Sequence, residues 1–108
     1  MTPKEFQRFL DRDGYCLHCG EREAVAPNHR ANRGMGGSKK RSTPSNIVIL
    51  CSLFNGLIES DPAAADLARA NGWKLSSWEE PWRVPCLDSV SGLLWQLDDD
   101  YGRRVWKG

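Results

Sequence analysis

An α+β fold is predicted for this chain by three observations. Residues 2–10 carry the capping and periodicity of a short amphipathic helix. Ile47-Val48-Ile49-Leu50 is a β-branched run of strand length, and residues 61–72 read as an Ala-rich helix with its own start and stop signals. At 108 residues, one domain is expected. A domain of this size buries only roughly 60–70% of its unfolded surface, so a local staple would contribute to its stability.

Thr2 and Glu5 have capping-box spacing, Pro3 stands at the first helical position, and Phe6, Phe9 and Leu10 fall on one face, with Asp13-Gly14 as the stop. Residues 15–26 read as a tight turn around Cys16-Leu17-His18-Cys19, with Gly20 permitting the return, and then a first short strand at Ala24-Val25-Ala26. The segment from Arg30 to Ser45 is too polar and too rich in glycine to be regular. Loops of that length in small domains are often functional. Ile47 to Leu50 supplies a second, buried strand, and Ser52 to Ser60 predicts a helix that sets Asn55 and Glu59 one turn apart. Asp61 then caps a further helix that starts at Pro62, propagates through Ala63 to Ala70 and stops at Asn71-Gly72.

Beyond residue 72 the composition changes, because all five tryptophans (Trp73, Trp78, Trp82, Trp95 and Trp106) lie there. Their size predicts burial against the core rather than exposure. Leu93-Leu94-Trp95-Gln96-Leu97 and Arg103-Arg104-Val105-Trp106, separated by Asp98 to Gly102, read as a terminal hairpin. The chain therefore divides into an N-terminal helix (1–13), a central unit (15–72) and a C-terminal extension (73–108).

The net charge of +1 conceals an asymmetry: Arg30, Arg33, Lys39, Lys40 and Arg41 share one acid-free segment, whereas Asp98, Asp99 and Asp100 cluster near the C-terminus. No window approaches the roughly 20 apolar residues of a membrane span, and the first residues carry no apolar run of signal-peptide length. A cytoplasmic protein is expected, and in that reducing setting four cysteines point to metal binding or small buried side chains rather than disulfides.

The motifs follow a fixed order. Cys16-Leu17-His18-Cys19 precedes Asn28-His29-Arg30 and the basic Arg33-Gly34-Met35-Gly36-Gly37-Ser38. Asn46, Leu50-Cys51, Ile58-Glu59-Ser60, Gly72-Trp73 and Val84-Pro85 come after. A histidine among cations, glycine turns and paired thiols points to phosphate chemistry beside a metal knuckle. From about Tyr15 to Pro85 this order resembles the HNH endonuclease family, and it is most similar to the short HNH proteins of bacteriophages and prophages.

The resemblance implies a small ββα-metal core, extended here by the N-terminal helix and the Trp-rich C-terminal β-hairpin. It implies that His29 is the general base that deprotonates water, and that Asn46 is the central Asn bracing the loop that carries the base. Asn28 occupies the first position, and Asn55 the helical position, of a site for Mg²⁺ or Mn²⁺. Both amides are neutral, so the metal would bind weakly unless Glu59 or Asp61 turned inward. The family's zinc knuckle would draw thiolates from Cys16, Cys19 and Cys51, but Phe54 stands where the fourth ligand belongs. Structural Zn²⁺ is normally closed at four ligands. His18 lies inside the turn, poorly placed to share the metal, and Cys86 would require the tail to fold back. The competing account has Phe54 replacing coordination by packing, with the cysteines as small hydrophobes.

Arg30, Arg33, Lys39, Lys40 and Arg41 are expected to engage successive phosphates of double-stranded DNA, with affinity that falls with salt and with low sequence specificity. Two function classes follow: a metal-dependent DNA endonuclease, and a decayed HNH scaffold that binds DNA or protein without cutting. The departures at Asn28, Phe54 and Asn55 motivate the second, and whether a carboxylate joins His29 discriminates between them. A phage-infected or prophage-bearing host is implied. The chain would act as a monomer or as a dimer, the latter pairing through a sheet edge at Leu93 to Leu97.

Overall fold

The computed structural model describes residues 1–32 and 43–108. In these residues three helices and two small antiparallel sheets form an α+β domain, in the order α1 (Pro3–Asp13), β1 (Val25–His29), β2 (Ile47–Cys51), α2 (Ser52–Ser60), α3 (Pro62–Ala70), β3 (Cys86–Leu87), β4 (Leu94–Leu97) and β5 (Arg103–Val105).

Helix α1 begins and ends on the residues that its sequence signals name. The Thr2 hydroxyl accepts from the Glu5 amide at 3.1 Å, and Gly14, at φ 79°, donates its N–H to the Leu10 carbonyl at 2.7 Å. Its last turn carries an anchor. Arg12 and Asp13 are both buried and paired at 2.8 Å, Arg12 also donates to the Pro44 and Ile47 carbonyls, and Asp13 accepts the Ile49 amide at 3.0 Å. The ion pair thus ties α1 to the backbone of β2.

Strands β1 and β2 form an antiparallel hairpin in register from Val25↔Cys51 to His29↔Ile47. Strand β1 runs three residues past the predicted Ala26 and carries Asn28 and His29 into the sheet. Pro27 does not stop it, because in a two-stranded sheet each strand keeps one unpaired edge, where a missing N–H costs little. The continuous apolar run of β2 reflects burial on both faces. Ile47 and Ile49 pack with Phe9, Phe6 and Leu10 of α1, whereas Val48 and Leu50 join Leu17, Phe54, Ile58, Ala68, Trp73 and Leu97. Strand alternation thus builds two cores from one strand.

Helix α2 leaves directly from β2, and Asp61 caps α3 by accepting the Ala63 amide at 3.0 Å. Gly72 follows at φ 79°, with space so restricted that a Cβ there would lie 2.0 Å from the Pro85 carbonyl oxygen. The C-terminal extension is a three-stranded sheet, β3-β4-β5, rather than a simple hairpin. Strand β4 is its central strand, so the expected free edge at Leu93 to Leu97 is already occupied by Cys86–Leu87 on one side and Arg103–Val105 on the other. The dimer through that edge is therefore withdrawn.

The tryptophans divide. Trp73 is buried and Trp95 and Trp106 are half-buried, as expected, but Trp82 is exposed and Trp78 is 80% exposed. The acidic cluster serves the fold: Asp98 accepts the Asp100 and Gly102 amides at 2.8 Å, and Asp99 accepts the Ser45 amide at 2.9 Å. Tyr101 in the same turn packs on Phe9, with Arg8 over its ring.

Candidate functional site

Two places bring the predicted site residues together, and the first is the turn at Cys16. Gly20, at φ 85°, closes it by donating to the Cys16 carbonyl at 2.8 Å, while the Leu17 amide bonds to the Ile49 carbonyl at 3.1 Å and its side chain is buried. The turn is thereby fixed to β2, and one ligand atom each from Cys16, His18 and Cys19 lies within 4.8 Å of the others. These three residues form a group that could hold a metal ion. Burial pushes the Cys16 thiol up to about 11, and the backbone N–H groups of Cys19, Cys51 and His18 act in the opposite direction. Such N–H groups stabilise a thiolate, which is the ligating form.

The membership of the group corrects the sequence expectation. His18, judged poorly placed, belongs to it, whereas Cys51 does not: its sulfur accepts the Phe54 amide at 3.3 Å and caps α2. Phe54 explains the exchange. Its ring stacks on the His18 imidazole at 3.9 Å between centroids and 15° between planes, and Trp73 closes edge-on at 5.5 Å, so His18 is held against the thiols by packing. His18 Nδ1 is buried with no hydrogen-bond partner among the described residues, and burial lowers the imidazole's pKa, favouring the neutral form that ligates metals. Cys86 is elsewhere in the core, with its thiol directed at the Trp95 carbonyl, and burial raises it to about 11. Two thiols and one imidazole form a donor set suited to borderline or soft divalent cations, and the exposed Cys19 leaves the group open on one side.

The second place is the far end of the β1–β2 hairpin. His29 is the last residue of β1, half-buried, opposite Ile47. Strand alternation directs Asn28 to the other face, where its buried amide nitrogen donates to the Trp73 carbonyl at 2.9 Å. Asn46 is fully buried. Its side chain accepts the Ala31 N–H at 2.8 Å and donates to the Ala31 carbonyl at 3.0 Å, and its own carbonyl accepts the Arg30 N–H at 2.7 Å. The Asn46 amide therefore acts as a strand partner for the residues immediately after His29 and fixes how the chain leaves β1.

Arg30 is a correction. Only 1% exposed, it donates Nε to Gly72 O at 2.7 Å, Nη1 to Ser45 O at 2.9 Å and Pro81 O at 2.8 Å, and Nη2 to Val84 O at 2.6 Å. Burial lowers its pKa, but a guanidinium stays charged, and here four carbonyls solvate it. With its donors directed inward, this side chain is a structural bolt rather than a phosphate contact. The other predicted phosphate contacts, Arg33, Lys39, Lys40 and Arg41, lie outside the described residues.

Asn55 is half-buried on α2, Glu59 is exposed, and Asp61 is occupied as a cap. Glu59 and Asp61 line a small depression together with Ile58, Ser60, Pro62 and Ala65, and His29 is not part of it. Among the described residues the Cys16 turn is the one place where three His, Cys, Asp or Glu side chains could share a metal. The signal for His18 was present in the sequence as a third donor beside Cys19; that for Arg30 was not, because its carbonyl partners come from three distant segments. Comparison of the chain with protein-family models, with curated proteins and with solved structures finds no match.

Proposed function

We propose that this protein is an HNH-type endonuclease that hydrolyses phosphodiester bonds of DNA, with His29 as the general base. The observation that carries this reading is the Asn46 clamp: a buried amide bonded to both backbone groups of Ala31 holds the exit of the strand whose last residue is His29. An imidazole at the end of β1, with a helix that leaves the partner strand directly, supports the ββα reading that the family resemblance implies. Its catalytic metal, Mg²⁺ or Mn²⁺, would supply charge stabilisation at the phosphate and the leaving oxygen. Asn28 and Asn55 are the residues that would hold it, and Asn28's donation to the Trp73 carbonyl orients that amide. In this reading Zn²⁺ belongs at Cys16, His18 and Cys19 and has a structural role, stapling the turn to β2.

A second reading, a non-cutting scaffold that binds DNA, is favoured by one observation: the residues at both catalytic metal positions, Asn28 and Asn55, are neutral amides. A supercoiled-plasmid nicking assay separates the two. The nuclease reading expects nicking in Mg²⁺ or Mn²⁺ that EDTA and His29→Ala both abolish. A folded protein that retards DNA but leaves it uncut in either metal would replace it with the scaffold.

A further inference from the structure

Trp78 is the most exposed of the large hydrophobic residues, at 80%. Among the described residues its indole makes no ring or cation contact, unlike Trp82, over which Arg83 sits at 4.6 Å, and Trp95, over which Arg103 sits at 4.1 Å. Its position is nevertheless held. The Ser76 amide donates to the Glu79 carboxylate at 2.8 Å and the Glu79 amide donates to the Ser76 carbonyl at 3.1 Å, a reciprocal pair that closes the turn carrying Trp78. An exposed indole on a locked turn is an odd expense for folding, which gains by burying it.

Trp78 forms the rim of an open groove of about 370 Å³ whose other walls are Asn32, Arg69, Lys74, Leu75, Ser76 and Ser77. Arg69 and Lys74 put two cations in it, and neither takes part in the Arg12–Asp13 ion pair. Asn32, Ser76 and Ser77 add amide and hydroxyl groups, and Leu75 completes the lining. The groove also lies on the same backbone path as His29. The Leu75 amide donates to the Arg30 carbonyl at 2.7 Å, Ala31 bridges Leu75, and Asn32, which lines the groove, is only three residues beyond His29 and so within roughly 10 Å of it along the chain.

A flat aromatic face beside paired cations and hydrogen-bonding side chains matches the chemistry of a nucleotide whose base is free to stack. A base inside a duplex already stacks on its neighbours and offers no face to Trp78. We infer that this groove binds an unpaired nucleotide of a single-stranded DNA segment, its base on the Trp78 indole and its phosphate between Lys74 and Arg69. Resting on the nuclease reading, this makes the preferred substrate DNA with a single-stranded stretch, such as a flap, a gap or a frayed end, rather than continuous duplex.

The test is fluorescence anisotropy of three labelled probes of equal phosphate number: single-stranded oligothymidine, the same strand with abasic residues, and a duplex. The full-length protein is expected to bind oligothymidine roughly tenfold or more tighter than the abasic strand, the worth of one base stacked on an aromatic ring. Trp78→Ala should erase that preference and Trp78→Phe should keep most of it. Lys74→Ala should weaken the oligothymidine and abasic probes alike and lower the slope of affinity against salt. Equal affinity of the wild type for base-bearing and abasic strands, or a preference untouched by Trp78→Ala, would overturn the inference. Trp78 is exposed, so its loss leaves the core intact. The nicking assay reads His29 separately: His29-dependent nicking without a Trp78-dependent base preference removes the groove and leaves the nuclease, whereas the preference without nicking does the reverse.

Discussion

Replacing Arg30 by Met isolates the bolt from its packing. The four carbonyls of Gly72, Ser45, Pro81 and Val84 lose the Arg30 donor in one step, and they belong to three segments that Arg30 joins. The Pro81 carbonyl keeps the Val84 N–H, and each of the other three acceptors left without a partner costs about 1–3 kcal/mol, so the gross loss is on the order of 3–9 kcal/mol. Against this, the variant no longer buries a cation, a relief of several kcal/mol, and the carbonyls relax toward water. The net cost on breaking a buried charged network of this kind is about 3–5 kcal/mol. At roughly 4–6 °C per kcal/mol for a domain of this size, the melting temperature should fall by about 12–30 °C. Thermal unfolding followed by far-UV circular dichroism measures it, with Arg30→Lys as a companion, since a single ammonium cannot span the four carbonyls and should also lose most of the stability. An Arg30→Met protein within about 1 kcal/mol of wild type but with much weaker DNA binding would refute the reasoning and return Arg30 to the phosphate-binding residues.

Three other outcomes are expected. Gly72→Ala places a Cβ 2.0 Å from the Pro85 carbonyl at φ 79°; left-handed strain and the forced shift together should cost at least about 2–3 kcal/mol in urea unfolding, and a neutral result would contradict the tight approach. At the metal-capable turn, titration with Co²⁺ followed by the sulfur-to-metal charge-transfer band should lose its signal with Cys16→Ser and weaken by tenfold or more with His18→Ala, about 1.4 kcal/mol, but hold with Cys51→Ser. The opposite ranking of His18 and Cys51 would restore the three-thiolate set. Tyr15 donates to Asp88 at 2.6 Å; burial works to raise the carboxyl, but the hydrogen bonds from Tyr15, Ser91 and Val90 outweigh it and hold Asp88 below its ordinary value, while the same bond to Asp88 raises Tyr15. The Asp88 contribution is therefore complete above the ordinary carboxylate range and lost as pH falls through its lowered folded value, and the Tyr15 contribution is complete below the ordinary phenol value and lost as pH rises through its raised one. Tyr15→Phe should cost about 1.5–3 kcal/mol at neutral pH and show a weaker loss on acidification in urea midpoints; identical acid limbs in the two proteins would remove the pair from the account.

Local signals were the legible part of this chain. Thr2, Pro3 and Gly14 bound α1, and Asp61, Pro62 and Gly72 bound α3, because caps act within one or two turns of their own position. The run from Ile47 to Leu50 marked a buried strand, but that it separates two cores depends on α1 and Trp73 arriving on opposite faces, which no window of β2 contains. Strand β3 escaped notice because two residues carry no periodicity, and its presence converts β4 from an edge into a centre. At the site, Asn28 and His29 lie on β1, which runs past its expected end at Ala26, and Asn46 immediately precedes β2. The burial of Arg30 is not legible locally, because a buried cation held by backbone carbonyls has the same local sequence as a surface one. The placement of His18 depends on a stack with Phe54, which no window around Cys16 contains.

The most direct test of the central claim is chemical rescue of His29→Ala nicking by free imidazole in Mg²⁺ or Mn²⁺. If His29 removes the proton from water, the variant should be inactive alone and regain activity as imidazole is added, while Asn46→Ala, which disturbs the clamp rather than the base, should not be rescued. Wild-type activity in His29→Ala, or an inactive variant that imidazole leaves inactive while its fold is intact, would contradict the assignment of His29 as the base.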